Sequence, residues 1–486
     1  VLDWFGRFLP VGFYYKAFFK PRGIWAYWEP IVRKAAGLGV SNLKVKAPYN
    51  DKTYVFCEIA VIGAGPAGLN AALHAANSGA KVVLIEQEPH LGGSLNYHGF
   101  GYSSSPSATP RNDEKPDAST DSEHGERFSA TAAQRNNLVE AVESHPNIRV
   151  LRSASCNAWF TDHYLPVLQG TRLIKLRAKQ TILATGSSEQ HVVFRNNDLP
   201  GVVMCSALDR LTRLYGVIPS TPVVVLAGND HAYRTALSSH DGGANVMAII
   251  DLRDRCDDLA LSEEAHARGI TLYVGCTVYE AASSATGHAL SKVIVHRFGS
   301  DGEASEKVAI LECGVLAMSA GFMPAYQLAC QAGAVLSYDD ETAQFQLSKL
   351  PAGMHLAGSV DSVFSFAAVE ASGRNAARQA VRNLDAEVAT DEDENITCNE
   401  QVNHPWPFVK HPKGREFVDF DEDLQIKDIV NATRMGYRDI QLVKRFSTVG
   451  MGPSQGRHSA LPTARLVAKA TDRSVNETGV TTARPP

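Results

Sequence analysis

The chain has 486 residues, 44% apolar and 20% charged, the make-up of an ordinary globular protein divided into two or three domains. Its formal net charge of −5 leaves no basic surplus to neutralise phosphates, which excludes a nucleic-acid binder. Its eight cysteines include no C-x-x-C pair, so neither a zinc site nor a disulfide framework is expected, and a reducing, cytoplasmic compartment is.

Residues 1–50 read as an aromatic N-terminal arm, with Phe13-Tyr14-Tyr15 and Trp25-Ala26-Tyr27-Trp28. Asp3, Arg7, Lys16, Lys20 and Arg22 break it, so no stretch reaches the length a bilayer needs. No clean apolar run leads to a small-residue cleavage site, so a signal peptide is not expected. The arm ends in a short basic helix with Arg33, Lys34 and Lys44, and opening at Val1 within apolar sequence suggests a fragment or a processed chain. From Tyr54 apolar runs alternate with helical periods, which predicts βαβ units and a parallel sheet.

The strongest local signal follows. The strand Ile59-Ala60-Val61-Ile62 runs into Gly63-Ala64-Gly65-Pro66-Ala67-Gly68, then into a helix over Leu69–Ser78 and a strand over Lys81–Ile85 that ends at Glu86. Gly63 permits a tight turn, Gly65 lets backbone approach a pyrophosphate, and Gly68 allows close helix–strand packing. The helix N-terminus offers free N–H groups and a positive dipole end to phosphates. Glu86 stands where a carboxylate meets a ribose hydroxyl, favouring NAD or FAD over NADP. Leu91-Gly92-Gly93-Ser94 then supplies a glycine-rich turn.

Residues 101–128 are Ser-, Pro- and acid-rich and read as a mobile surface insertion, since they bury too little to offset ordering. A helix and the strand 147–151 resume the pattern, and Thr181-Ile182-Leu183-Ala184-Thr185-Gly186 looks like the A-T-G strand that closes a first nucleotide domain. A second α/β block opens with Pro222–Leu226, but Ala227-Gly228-Asn229-Asp230-His231 puts side chains where a pyrophosphate needs bare backbone. That loop is expected to face a partner or a mononucleotide phosphate, with Arg234 as a possible donor, or to be a plain structural loop. Ala357-Gly358-Ser359-Val360-Asp361 looks like a late A-G-D element and precedes a small-residue helix over 367–380. The expected fold is therefore α/β: an FAD/NAD(P)-binding, Rossmann-like two-module fold with a small C-terminal helical module. The first module is assigned to 51–200 plus 341–385 and the degenerate second to 201–340. An acidic linker spans 386–404, the helical module 405–475, and a further linker 476–486. No residue pattern marks catalytic groups or a metal site, and His163 and His355 read as structural; chemistry would rest on a flavin or nicotinamide.

The chain resembles the α-subunits of heterotetrameric sarcosine oxidases along nearly its whole length. The resemblance rests on Leu9–Lys16, Trp28-Glu29-Pro30, Gly63–Gly68, Asn197–Val202, Asn229–Ala236, Phe417–Phe420, Gly450–Gly456 and Thr481–Pro486. It implies a complex that oxidatively demethylates sarcosine to glycine, a one-carbon unit and hydrogen peroxide. FAD would lie in a β-subunit, FMN at the α/β interface, smaller γ- and δ-type subunits would complete the assembly, and NAD would lie in this chain. By position the NAD contacts would be Ala67, Glu86, Gln87, Glu88, Ser94, Gly358, Val363 and Ser365, added to Gly63, Gly65, Pro66, Gly68, Gly93, Thr185 and Gly186 from the motifs. The family's N-terminal ubiquitin-like and C-terminal tetrahydrofolate-handling domains would flank the chain. The final module resembles one that carries a [2Fe–2S] cluster in related amino-acid and opine dehydrogenases, but Asp419, Asp421 and Ser454 stand at its cysteine positions, so no cluster is expected. The alternatives are an independent NAD(P)H-dependent flavoprotein oxidoreductase, a subunit of a related amino-acid or opine dehydrogenase, or a scaffold with an empty site.

Overall fold

The computed structural model describes residues 21–97 apart from several positions between 36 and 48, 120–384 apart from 285, 286, 288, 300 and 301, then 391–396 and 401–481. The chain divides into two compact units, 1–50 and 51–486. In the first, α1 (Trp25–Ala35) carries Arg33 and Lys34 in its last turn, and Arg33 pairs with Glu29 one turn earlier. Lys44 lies beyond this helix in a turn, and residues 1–20 of the aromatic arm fall outside the description.

In the second unit the first sheet is built from β2 (Ile59–Ile62), β3 (Val82–Ile85), β4 (Ile148–Leu151), β8 (Gln180–Leu183) and β21 (Met354–Leu356). All five run parallel in the order β21-β8-β2-β3-β4. β2 and β3 are buried at every position, as a strand covered on both faces requires, which is why they read as unbroken apolar runs. One face is covered by α2 (Pro66–Asn77) and a long helix, Phe366–Leu384. Those two helices cross so closely that a Cβ on Gly373 would lie 2.2 Å from the Ala67 carbonyl oxygen, so only glycine fits the crossing. The other face packs on a sheet of β1 (Asp51–Phe56), β7 (Arg172–Arg177), β6 (Tyr164–Gln169) and β5 (Ala154–Cys156). His163 and His355 are tied down inside this module by Thr181 Oγ1 (3.1 Å) and Gln180 Oε1 (2.9 Å).

The chain crosses to the second module through β9 (Ser187–Gln190) and returns through β18 (Gly321–Pro324), which pair antiparallel. Between them lies a parallel sheet of β10 (Val202–Met204), β17 (Val315–Ser319), β11 (Val223–Ala227), β12 (Val246–Asp251) and β13 (Thr271–Val274). Helices α4 (Cys205–Arg213), α5 (Asp230–Asp241) and α6 (Leu259–Ala267) cover one face. The antiparallel strands β14 (Cys276–Ser283), β15 (Leu290–Phe298) and β16 (Ala304–Glu312) cover the other. After β18 an antiparallel hairpin of β19 (Val335–Asp339) and β20 (Gln344–Lys349) leads back to β21. The final module is a short hairpin, Phe417–Asp419 with Leu424–Gln425, and helices over Ile426–Arg434, Ile440–Ser447, Ala460–Thr471 and Val475–Thr478. This is the Rossmann-like α/β fold in two modules with a helical C-terminal region that the sequence predicts.

The structure moves one boundary. Helix α3 (Thr120–Ser144) begins inside the expected insertion, so residues 120–128 are helical; residues 101–119 lie outside the description. The Thr120-Asp121-Ser122-Glu123 run that reads as solvated loop is equally a helix-start composition. The acidic linker is partly held down: Glu394 accepts from Arg374 (2.6 Å) and Arg378 (3.0 Å) of the Phe366–Leu384 helix. Among the described residues no helix is long and apolar enough to cross a membrane.

Candidate functional site

At the C-terminal end of β2 the glycines divide their tasks. Gly63 has φ +100°, and a Cβ there would meet the Ala184 carbonyl oxygen at 2.3 Å; one on Gly68 would meet the Gly63 carbonyl oxygen at 1.9 Å. These two close the turn. Gly65 has φ −73°, open to any residue, yet a Cβ on it would touch nothing within 4 Å. It caps α2 with no side-chain hydrogen bond, and Pro66 follows where a missing N–H costs nothing. The helix therefore presents its first amides beside an open backbone face, the arrangement that receives phosphate.

The remaining expected residues gather around that face. Glu86 is buried; its Oε2 accepts from Ala64 N (2.7 Å) and its Oε1 from Glu88 N (2.9 Å), so it braces the turn and keeps lone pairs for further donors. Gln87 and Glu88 are exposed at the rim. Gly92 N donates to Ala64 O (2.9 Å), and a Cβ on Gly93 would lie 2.8 Å from Gly65 Cα, so the turn holding Ser94 stacks on the Gly63–Gly68 turn. Thr185 Oγ1 donates to Ala325 O (3.1 Å), and Gly186, at φ +79°, faces Ser359. Gly358, at φ +77°, comes up against Ala67, where its Cβ would be 2.9 Å from the alanine methyl. Val363 N donates back to Gly358 O (3.3 Å), and Ser365 O receives Val369 N (2.9 Å) as the last long helix starts. The expected residues thus lie on the loops that follow the C-terminal ends of β2, β3, β8 and β21.

The equivalent loop of the second module is tied down by its own side chains, and a pocket lined by Gly228, Arg253, Asp257, Asn403 and His404 opens beside it. Asn229 Oδ1 accepts from Ala232 N (3.2 Å) as a helix cap, while its Nδ2 donates to Ser319 Oγ (3.1 Å) and Val402 O (2.9 Å). Asp230 is tied to Arg253 (2.8 Å) and accepts from Asp258 N (2.9 Å). Residues 401–404 cross the strand ends as a strap: His404 N donates to Ala320 O (2.9 Å), Asn403 Oδ1 accepts from Phe322 N (2.5 Å), and a Cβ on Gly228 would meet His404 Cβ at 3.2 Å. Arg234 stands a turn further along α5, half-buried.

Residues 57–345 match the pyridine nucleotide-disulphide oxidoreductase family. The chain belongs to that family. Residues 413–486 match the sarcosine oxidase A3 domain. The chain is 32% identical to the sarcosine oxidase alpha subunit of Rhizobium meliloti (strain 1021) over 98% of its own length and 46% of the relative's. It is 24% identical to the opine oxidase A subunit of the same organism and strain, over 88% of this chain and 95% of that one. It therefore spans about half the length of the sarcosine oxidase relative. Among solved structures, L-proline dehydrogenase from P. horikoshii superposes with a TM-score of 0.60 at 19% identity, covering 91% of this chain and 80% of that one, a likeness of fold.

Within this member of the oxidoreductase family the A3-matched region holds a polar knot. Asp419 is fully buried; its Oδ1 accepts from Asp421 N (2.9 Å) and Glu422 N (3.2 Å), and its Oδ2 from Gly450 N (2.7 Å). Asp421 Oδ2 accepts from Ser454 N (2.8 Å), and Phe420 N donates to His458 Nε2 (3.1 Å). Asp419, Asp421 and His458 bring ligand-type atoms within 4.8 Å of one another, a grouping that sequence spacing hid because His458 is distant along the chain. Backbone amides already engage all three side chains. This donor set does not fit a [2Fe–2S] cluster: it offers carboxylates and a hydroxyl where thiolates are needed, and the carboxylates are committed to the loop.

Sequence reasoning also missed a buried acid at the module junction. The Glu189 side chain is 3% exposed; its Oε2 accepts from Ser206 N (2.8 Å), and its Oε1 lies 3.7 Å from His231 Nε2. The available signal was a lone charge in the run Ser187–Phe194. Burial pushes its pKa up to about 7 against the hydrogen bonds from Ser206 and Ser319. Asp209, which accepts from Thr235 Oγ1 (2.9 Å), is likewise raised by burial to about 7. Both folded values exceed the ordinary ones of 4.5 and 3.8, so between those pH values and 7 the native state binds more protons than the unfolded chain. Their stabilising contribution is present in full below the unfolded values and is lost as pH rises through 7. Thermal melts from pH 5 to 8 are expected to show stability falling by up to about 1.4 kcal/mol per unit pH for each group below pH 7 and levelling off above it. The Glu189→Gln/Asp209→Asn double variant should flatten that slope, and a double variant as steep as the parent rules the assignment out.

Proposed function

We propose that the chain is the NAD-binding α-subunit part of a sarcosine oxidase-type complex, which oxidises the CH–NH group of a secondary amine, sarcosine, to glycine, a one-carbon unit and hydrogen peroxide. The observation that carries the reading is the open backbone face at Gly65 beside an uncapped helix N-terminus, braced by a buried Glu86. Gly63, Gly65, Pro66, Ala67 and Gly68 would hold the pyrophosphate, with Glu86, Gln87 and Glu88 at the adenosine ribose. Gly93, Ser94, Thr185, Gly186, Gly358, Val363 and Ser365 would complete the walls. A bound dinucleotide would supply a redox-active ring. The chain's own residues bind and orient it, and none of the described groups in the crevice is assigned to move a proton. FMN at the interface and FAD in a β-type subunit would carry the amine chemistry, with smaller γ- and δ-type subunits present and the cytoplasm as the compartment. The seven cysteines described are unpaired, which suits a reducing environment.

In this reading 51–200 with 341–385 forms the first dinucleotide module and 201–340 the second. Residues 386–404 link it to the helical module at 405–475, and 476–486 leads onward. A second reading, a subunit of an opine- or amino-acid-dehydrogenase complex, is favoured by the opine oxidase relative that the chain nearly spans; the cysteine-free knot at Asp419 supports the first. Calorimetric titration of the purified chain is expected to give one NAD per chain, because Asn229 and Asp230 put committed side chains where the second loop would need bare backbone, with little NADH oxidation in the absence of partners. Mass analysis of the ligand released on denaturation tests the cofactor directly. Two nucleotides per chain, or brisk turnover by the chain alone, would point instead to an independent NAD(P)H-dependent oxidoreductase.

A further inference from the structure

The turn that stacks on the phosphate loop ends at Tyr97, whose N–H donates to Ser94 O (3.1 Å). This tyrosine belongs to the first module, yet its partner comes from the second. Arg210, on α4, donates from Nη2 to the Tyr97 hydroxyl (3.1 Å) and holds its guanidinium carbon 4.6 Å from the centre of the ring. Arg210 is exposed, and that bond is the one its guanidinium makes among the described residues. Partial desolvation works against its charge, but Tyr97, Glu88 and Tyr215 outweigh that and raise its pKa.

The helix that carries Arg210 is fixed. Glu189 Oε2 holds the amide of Ser206 in its first turn (2.8 Å), and Asp209 takes a hydrogen bond from Thr235 of α5 (2.9 Å). A guanidinium on such a rigid mount loses less freedom on meeting a phosphate than one on a loop. The crevice also needs positive charge. A dinucleotide brings two phosphate charges to a site already containing Glu86 and Glu88, and a helix N-terminus offers only about half a unit charge. Arg135 of α3 also lies against this turn, its Cδ 3.3 Å from where a Gly92 Cβ would be.

We propose that Arg210 and Tyr97 form a clasp that reaches from the second module over the lip of the nucleotide crevice and engages the phosphates of an adenine dinucleotide bound there. The inference rests on the nucleotide-binding reading above and adds a retention residue that lies outside every glycine motif. Tyr97 aims the cation; Arg210 supplies the contact.

Calorimetry on the full chain with two probes, ADP-ribose and adenosine, tests it. Arg210→Ala is expected to weaken ADP-ribose binding roughly tenfold, in line with loss of one charge-assisted contact, and to reduce its salt dependence. Adenosine binding should stay within about twofold, and Arg210→Lys should recover part of the loss, since it keeps charge but not the planar fork. Unchanged ADP-ribose affinity in Arg210→Ala overturns the clasp, as does an equal loss for both probes, which marks a general structural effect. If the unmodified chain binds no ADP-ribose, the parent reading falls and the clasp falls with it.

Discussion

Gly65→Val is expected to leave the melting temperature of the chain nearly unchanged while weakening dinucleotide binding by at least about a hundredfold, the scale of a lost phosphate cradle. Two properties of the position separate binding from folding. Its φ of −73° is one any residue adopts, and its missing Cβ points into space with no atom within 4 Å. A valine there strains nothing in the protein and fills the volume that a phosphate needs. The neighbouring glycines give the contrasting control. A Cβ on Gly68 would sit 1.9 Å from a backbone oxygen, so Gly68→Val should unfold the strand–helix junction and fail to accumulate. Equilibrium binding and thermal melting of the Gly65 and Gly68 variants, side by side, decide the matter. Full affinity in a well-folded Gly65→Val chain would remove the phosphate from this loop.

Asp419→Ala is expected to cost about 3–5 kcal/mol in urea unfolding, because it strands buried amides of Asp421, Glu422 and Gly450 at about 1–3 kcal/mol each, partly relieved by local relaxation. Asp419→Asn keeps the volume but turns an N–H toward the Gly450 N–H, so an intermediate loss follows. Burial pushes the Asp419 carboxyl up, yet the neighbouring His458 ring and the Gly450 amide prevail and hold its pKa down at about 2. A depressed folded value means stability that is present above the unfolded value of 3.8 and lost as pH falls through 2. The gap between the parent and Asp419→Ala should therefore narrow on acidification from pH 4 to pH 2. A gap independent of pH would mean that the carboxylate charge plays no part in holding the loop.

The glycine turn after β2 was readable in the sequence because its determinants are local. Gly63, Gly65, Gly68 and Glu86 sit within one β–α–β unit, where spacing along the chain is spacing in space. The late element around Gly358 was readable for a different reason: a short small-residue run before a helix allows few geometries. The features that escaped are all contacts between distant segments. The strap from Val402 to Asn229 and the cation of Arg210 over Tyr97 bring together residues that carry no mutual signal in one sequence. Asn229 and Asp230 did announce that the second loop had lost its bare backbone, but not what covers it. Glu189 and Asp419 looked like ordinary charges, because burial, which gives them their character, is a property of the folded chain. The boundary at Thr120 was missed since Ser, Thr, Asp and Glu serve both a solvated loop and a helix start.

The strap has a consequence for how this architecture can be re-engineered. Residues 401–404 lie directly upstream of the final module, and Arg465 of that module holds the strap from behind by donating to His404 O (3.0 Å). Any small molecule that settles beside Gly228 would lie against the strap to which the whole tail is moored. The wall of that berth and the mooring of the tail are one stretch of chain, so a designer seeking a two-cofactor variant would have to reshape both together.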